Sequence, residues 1–167
     1  MALNAYLTMK GQKAGEVKGS VTQKGRADSI MVVAYSHEIV SPRDAASGLP
    51  TGKRMHKPLS ITKEIDKASP ILYNMMVTNE NIPTFSLKFW KPQGSAAGGV
   101  GSEVQYYTIE LVNANIAQIN EYMLDNKVPE NMKFPPMEKV YFTYQKIVWT
   151  WVDGGITCED DWESPIA

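Results

Sequence analysis

The chain has 167 residues, enough for one domain that buries roughly 70% of the surface its unfolded chain exposes. Seventeen Lys and Arg stand against eighteen Asp and Glu, a net charge of −1, so no global field recruits a nucleic acid or an anionic membrane. One cysteine, Cys158, excludes an internal disulfide framework and fits a reducing cytoplasm, while the two histidines and that cysteine, at positions 37, 56 and 158, have no zinc spacing.

No stretch approaches the ~20 apolar residues of a membrane span, and MALNAYLTMKGQ lacks the basic-then-apolar pattern of a Sec leader. The expectation is a soluble protein, made in the cytoplasm, which would leave the cell only by a route that needs no cleavable signal peptide.

In chain order, ALNAYLTM (2–9) alternates through Leu3, Ala5, Leu7 and Met9, and SIMVVAYSHEIV (29–40) reads as one long strand. A long polar connection, SPRDAASGLPTGKRMHKP (41–58), follows; connections of this length are usually functional or mobile. Leu59, Ile61 and Ile65 then share one parity, as in a half-buried strand. At Ser69-Pro70 the period changes to helical: Ser69 suits the N-cap, Pro70 the first helical position, and Leu72, Met75 and Met76 follow at helical spacing over about 69–79. Such a short helix needs packing to persist, so Leu72, Met75 and Met76 are expected to close one side of the core, leaving Asn74 and Thr78 outside.

PTFSLKFWK (83–91) alternates cleanly, with Trp90 as its exception. The next two segments change phase in mid-run. In 103–119 the apolar parity is odd through Tyr107, Ile109 and Leu111, then even through Val112, Ala114 and Ile116. In 138–152 it is even through Val140, Phe142 and Tyr144, then odd through Ile147, Trp149 and Trp151. A strand that swaps its buried face carries a bulge or passes between packing layers. The fold class expected is mainly β: two antiparallel sheets in a barrel-like sandwich with one short helix, in a single domain over 1–167. Residues 92–102 read as a loop, 120–136 as a helical turn and a Pro-bounded loop, and 153–167 as a solvated acidic tail.

Motifs for chemistry fall short. GLPTGKR (48–54) has one residue too few for a phosphate loop and Arg54 where Ser or Thr must reach magnesium; Gly99-Val-Gly101 lacks the third glycine of a dinucleotide site. Ser36-His37-Glu38 would place neighbouring side chains on opposite faces of a strand, which disfavours a catalytic His37, and His56 sits in a basic loop with no carboxylate near it in sequence. The tail acids lack the alternation and glycine of a calcium loop. Trp149 and Trp151 share a strand face, which fits core packing or a stacking platform for sugars. No cofactor, metal or catalytic group is expected.

KPLSITKEIDKASPIL (57–72) resembles the signature of the Hcp proteins, the hemolysin-coregulated tube subunits of type VI secretion systems. The likeness extends in order through AYLTMKGQKAGEVKGSV, VVAYSHEIV, YYTIELVNANI and EKVYFTYQKIVWTW to EDDWESP, whereas 92–102 and 120–136 match no recognisable part of it. The resemblance implies a non-enzymatic protein that forms hexameric rings stacked into a phage-tail-like tube. It also implies a contractile sheath around the tube, a VgrG-type spike at its tip, and secreted effectors in its lumen. A monomeric β-sandwich binding module, for carbohydrate through Trp149 and Trp151, is the alternative, and a hydrolase built on His37 ranks last.

A charge count suggests where rings would meet. Segment 42–58 carries Arg43, Lys53, Arg54 and Lys57 against Asp44, a net of +3; segment 153–163 carries Asp153, Glu159, Asp160, Asp161 and Glu163 with no cation, a net of −5. The resemblance implies that the long loop reaches toward a neighbouring ring. It is therefore expected to be the stacking contact, with Leu49 and Met55 as its apolar groups and the acidic tail as a possible partner.

Overall fold

The structure, a computed structural model, describes residues 3–93 and 102–162. Its strands are β1 (Ala5–Gly11), β2 (Gly15–Glu16), β3 (Ile30–Val32), β4 (Ala34–Ser36), β5 (Ile39–Val40), β6 (Met55–His56), β7 (Leu59–Glu64), β8 (Thr84–Pro92), β9 (Glu103–Val112), β10 (Asn115–Tyr122), β11 (Met137–Thr143), β12 (Lys146–Trp151) and β13 (Ile156–Asp161). Helix α1 (Ser69–Val77) lies between β7 and β8. One antiparallel sheet runs β13-β12-β9-β8-β1, with β2 and β3 sharing the far edge of β1; a second runs β10-β11-β7-β4; β5 and β6 pair apart from both. The two large sheets pack as a barrel-like sandwich without closing into one continuous ladder among the described residues.

Sheet changes explain the phase changes. β9 belongs to the first sheet and β10 to the second, and the chain turns between them at Asn113, whose φ is 52°. β11 and β12 repeat the move through Tyr144-Gln145. Crossing to the opposing layer keeps apolar groups inward only if the parity flips, so Ile109 and Leu111 before the first crossing and Ala114 and Ile116 after it are all buried. Residues 29–40, expected as one strand, divide for the same reason: β3 pairs β1, β4 pairs β7 and β5 pairs β6.

The core lies between the sheets, with Leu7, Ile30, Leu59, Ile61, Leu87 and Val140 fully enclosed. Phe85 on β8 meets Phe142 on β11 edge to face, with ring centroids 4.8 Å apart, a favourable aromatic geometry that joins the two layers. Leu3 and Ile65, assigned to the apolar parity, lie beyond the strand ends and are exposed. Trp90, the exception in its strand, lies on the outer face beneath the Arg26 guanidinium, which also covers Tyr6 and is paired with Glu103 at 2.6 Å.

The helix begins differently from the expectation. Its N-cap residue is Ala68, and Ser69 is already helical and buried. The capping work passes to Asp66, whose Oδ1 accepts from the Ala68 N–H at 2.9 Å, while Ser69 Oγ accepts from the Asp66 N–H at 3.0 Å and donates to Glu138 at 2.8 Å. Leu72 and Met75 are buried and Met76 packs partly on the core; Asn74 and Thr78 face solvent.

Candidate functional site

The connection 41–58 is an ordered arm rather than a structureless loop. Ile39 and Val40 pair with His56 and Met55, a further bridge joins Arg43 and Pro50, and the Asp44 amide donates to the Leu49 carbonyl at 2.9 Å. At the tip, Asp44 Oδ2 accepts from the Ser47 amide at 2.7 Å and its hydroxyl at 2.6 Å, bonds that hold the carboxyl below its ordinary range. Gly48 completes the turn at φ 71°. Arg43, Lys53, Leu49 (65% exposed) and Met55 (51%) point to solvent, and Lys57 pairs with Glu38 at 3.1 Å at the arm's base.

The acidic tail is also ordered as far as it is described. A short turn at Asp153–Gly155 leads into β13, which pairs with β12 along its whole length and makes residues 156–161 part of the first sheet rather than a solvated tail. Glu159 meets Lys146 at 2.8 Å, and Glu163 lies outside the described residues.

The arm and this strand meet within one chain. Arg54 grips Asp160 with two bonds, Nε to Oδ2 at 2.5 Å and Nη2 to Oδ1 at 2.6 Å, and a third from Nη2 reaches the Asp161 carbonyl at 3.2 Å. His56, expected in solvent, has a side chain only 1% exposed: its Nε2 lies 2.7 Å from Asp160 Oδ2 and its Nδ1 2.8 Å from the Tyr144 hydroxyl. His37 Nε2 reaches the same hydroxyl at 2.6 Å. The Trp162 indole stacks on the His56 ring at 5.6 Å and donates to the Tyr144 carbonyl at 2.6 Å.

Electrostatics follow the packing. The Arg54 guanidinium, against the opposing effect of burial and with help from His56, holds the Asp160 carboxyl below its usual value. Burial, then the neighbouring His56, lowers His37, and burial together with Asp160 pushes the Tyr144 phenol well up. Tyr144 thus keeps its proton, and His37 spends its nitrogen on Tyr144 rather than on Ser36 or Glu38. The cluster is suited to holding the arm, not to generating a nucleophile. Partners 106 and 107 residues apart leave no spacing signal, so sequence reasoning missed the grouping.

The two tryptophans do not form a joint platform. Trp149 packs on the core, while Trp151 faces Tyr106 at 5.8 Å with Lys91 above it. Cys158 is exposed on β13.

A family described as "Type VI secretion system effector, Hcp" matches residues 6–151. The chain belongs to the Hcp family. It is 39% identical to the "Major exported protein" of Pseudomonas aeruginosa, with 100% of this chain and 99% of that protein covered. Among solved structures, a crystal structure of an Hcp protein matches with a TM-score of 0.88 and 28% identity over 98% of this chain and 100% of that one. A mutant Hcp1 from the E. coli EAEC 042 pathovar matches with a TM-score of 0.83 and 35% identity over 96% and 99%. Secreted Hcp3 of Pseudomonas aeruginosa matches with a TM-score of 0.76 and 32% identity over 98% and 100%. The resemblance read from 57–72 and the later strands therefore identified the family.

Proposed function

We propose that this Hcp-family chain is a non-enzymatic subunit of a secreted tube: six copies close into a ring, rings stack, and the lumen holds effectors, with a VgrG-type spike at the tip and a contractile sheath outside. The end-to-end match to an exported relative carries this reading. Closure of a ring requires a heterologous contact between two different surfaces, and an obligate wall of that kind buries on the order of 2,000 Å² or more per contact. The ordered arm is the proposed stacking element. Arg54 and Asp160 are paired within the subunit, as are Lys57 and Glu38, which leaves Arg43, Lys53, Leu49 and Met55 as its available groups.

Light scattering tests the ring. A subunit of 18.6 kDa should give a particle about six times heavier, seen by negative stain as an annulus. A monomer at every concentration would refute the reading and favour the binding module. Arg43→Glu with Lys53→Glu should leave the ring mass unchanged but reduce ring-on-ring stacking, and raised salt should weaken stacking of the unaltered protein, because exposed charges are screened beyond ~8 Å at physiological ionic strength. Normal stacking by the double variant would shift the contact to Leu49 and Met55.

A further inference from the structure

We propose that His37, Tyr144, His56 and Asp160 form a latch that clamps the arm to the body while at most one imidazole is charged and releases it when both are. This goes beyond the tube reading and concerns the single subunit. The four side chains come from the two roots of the arm, the β11–β12 crossing and β13, so they tie the arm to both sheets at one point.

Donor counting sets the limit on charge. The Asp160 carboxylate only accepts, so His56 Nε2 carries a proton and donates to it. With both rings neutral, His56 Nδ1 accepts from the Tyr144 O–H and His37 Nε2–H donates to the same oxygen. With His56 charged, its Nδ1–H donates to Tyr144, and the hydroxyl turns to give its proton to His37 Nε2. Each arrangement satisfies every contact; between them His56 gains a proton on Nδ1, the hydroxyl rotates, and the His37 proton moves from Nε2 to Nδ1, because Nε2 must be bare to accept. A second proton breaks the scheme. Both rings then donate to one oxygen, the hydroxyl proton loses its acceptor within the group, and two cations face each other across a single phenol.

The surrounding charges do not absorb that second proton. Asp160 is already shared with Arg54, and Arg54 is itself a cation beside His56. Glu38 and Lys57, which flank the arm's base, neutralise each other at 3.1 Å, and Lys146 is paired with Glu159. Asp161 presents its carbonyl to Arg54 and its carboxylate to Gln145 at 3.3 Å, while the neutral Tyr35 faces the pocket from β4. The low exposure of His56 under Trp162 keeps water from replacing the lost acceptor.

Hydrogen exchange of the arm amides in the full chain, corrected for intrinsic rates, tests the latch. In the wild type, protection of 39–56 should fall roughly tenfold or more between about pH 7.5 and about pH 5, across the histidine range. His37→Gln supplies a neutral carboxamide that can accept from Tyr144 but cannot be charged, so its arm should stay protected over the same range. A wild type with no fall, or an equal fall in the variant, would overturn the proposal. Ring-proton NMR of the wild type gives a test that needs no variant: His37, held down by burial, should take up its proton over the same pH range in which arm protection falls. Uptake of the His37 proton with no change in arm protection would equally overturn it.

Discussion

Replacing Lys63 with methionine should be among the most damaging single changes in this domain. Lys63 on β7 and Glu138 on β11 are both 0% exposed, opposite each other in register, and Lys63 Nζ lies 2.5 Å from Glu138 Oε1. The same ammonium reaches Asp66 Oδ1 at 2.9 Å, the Glu64 carbonyl at 2.8 Å and Ser69 Oγ at 3.2 Å, so it fastens the start of α1 to the second sheet. Methionine retains most of the aliphatic volume and removes the charge together with its hydrogen-bond donors. Glu138 is then left buried without a cation, and its Oε2 has no hydrogen-bond partner to compensate. Breaking a buried pair from one side costs about 3–5 kcal/mol, against a total stability of about 5–15 kcal/mol for a domain. At ~2–4 °C per kcal/mol for this size, the melting temperature should fall by roughly 6–20 °C. The assay is thermal and urea unfolding followed by circular dichroism near neutral pH, at one fixed protomer concentration because assembly also stabilises. Adding Glu138→Leu to Lys63→Met should recover much of the loss, since an apolar pair carries no stranded charge. A loss below ~1 kcal/mol for the single variant, or no recovery in the double, would refute the reasoning.

The helix offers a second comparison: Ser69→Ala should cost about 1–3 kcal/mol by stranding its partners in that network, and Leu72→Ala about 2–5 kcal/mol as a core truncation. Equal, near-zero losses in unfolding experiments would mean that α1 is not anchored through them. Gly19→Ala should destabilise by about 1–3 kcal/mol, because a Cβ there would collide with the Ser29 carbonyl oxygen and lie 2.7 Å from Ile30 Cα, both backbone atoms; an unchanged melting temperature would contradict that packing. Acid should weaken the fold in two stages. His37 is held below its ordinary value of 6.5, so the unfolded chain binds its proton first and stability falls as pH drops below 6.5; Asp160 is held below 3.8, so its contribution is present above that value and lost beneath it. Melting temperatures in His37→Gln and Asp160→Asn should show a shallower fall in the respective window, and slopes equal to the wild type would rule out these two groups.

Alternation and phase determined much of the architecture from sequence alone. The parity of Phe85, Leu87, Ile109, Leu111, Val140 and Phe142 marks inward faces because a strand has only two, and Pro70 with Leu72 and Met75 marks a helix because those groups recur at its pitch. The mid-run parity changes even announced that the chain crosses layers. Tertiary structure alone decided which crossings occur where, dividing 29–40 among three sheets, since that depends on which strand lies alongside rather than on any local preference. It also turned the tail acids into an edge strand: residues 156–159 are exposed and 160–161 only half-buried, so they carry no apolar pattern and are held by backbone bonds to β12. Lys63, Glu138 and His56 look like surface residues in a sequence because burial of a charged or polar group is permitted only by a partner distant along the chain. The same holds for the arm, whose length was legible at 41–58 but whose anchorage rests on Arg54 and Asp160, joined only when the sheets bring β6 and β13 together.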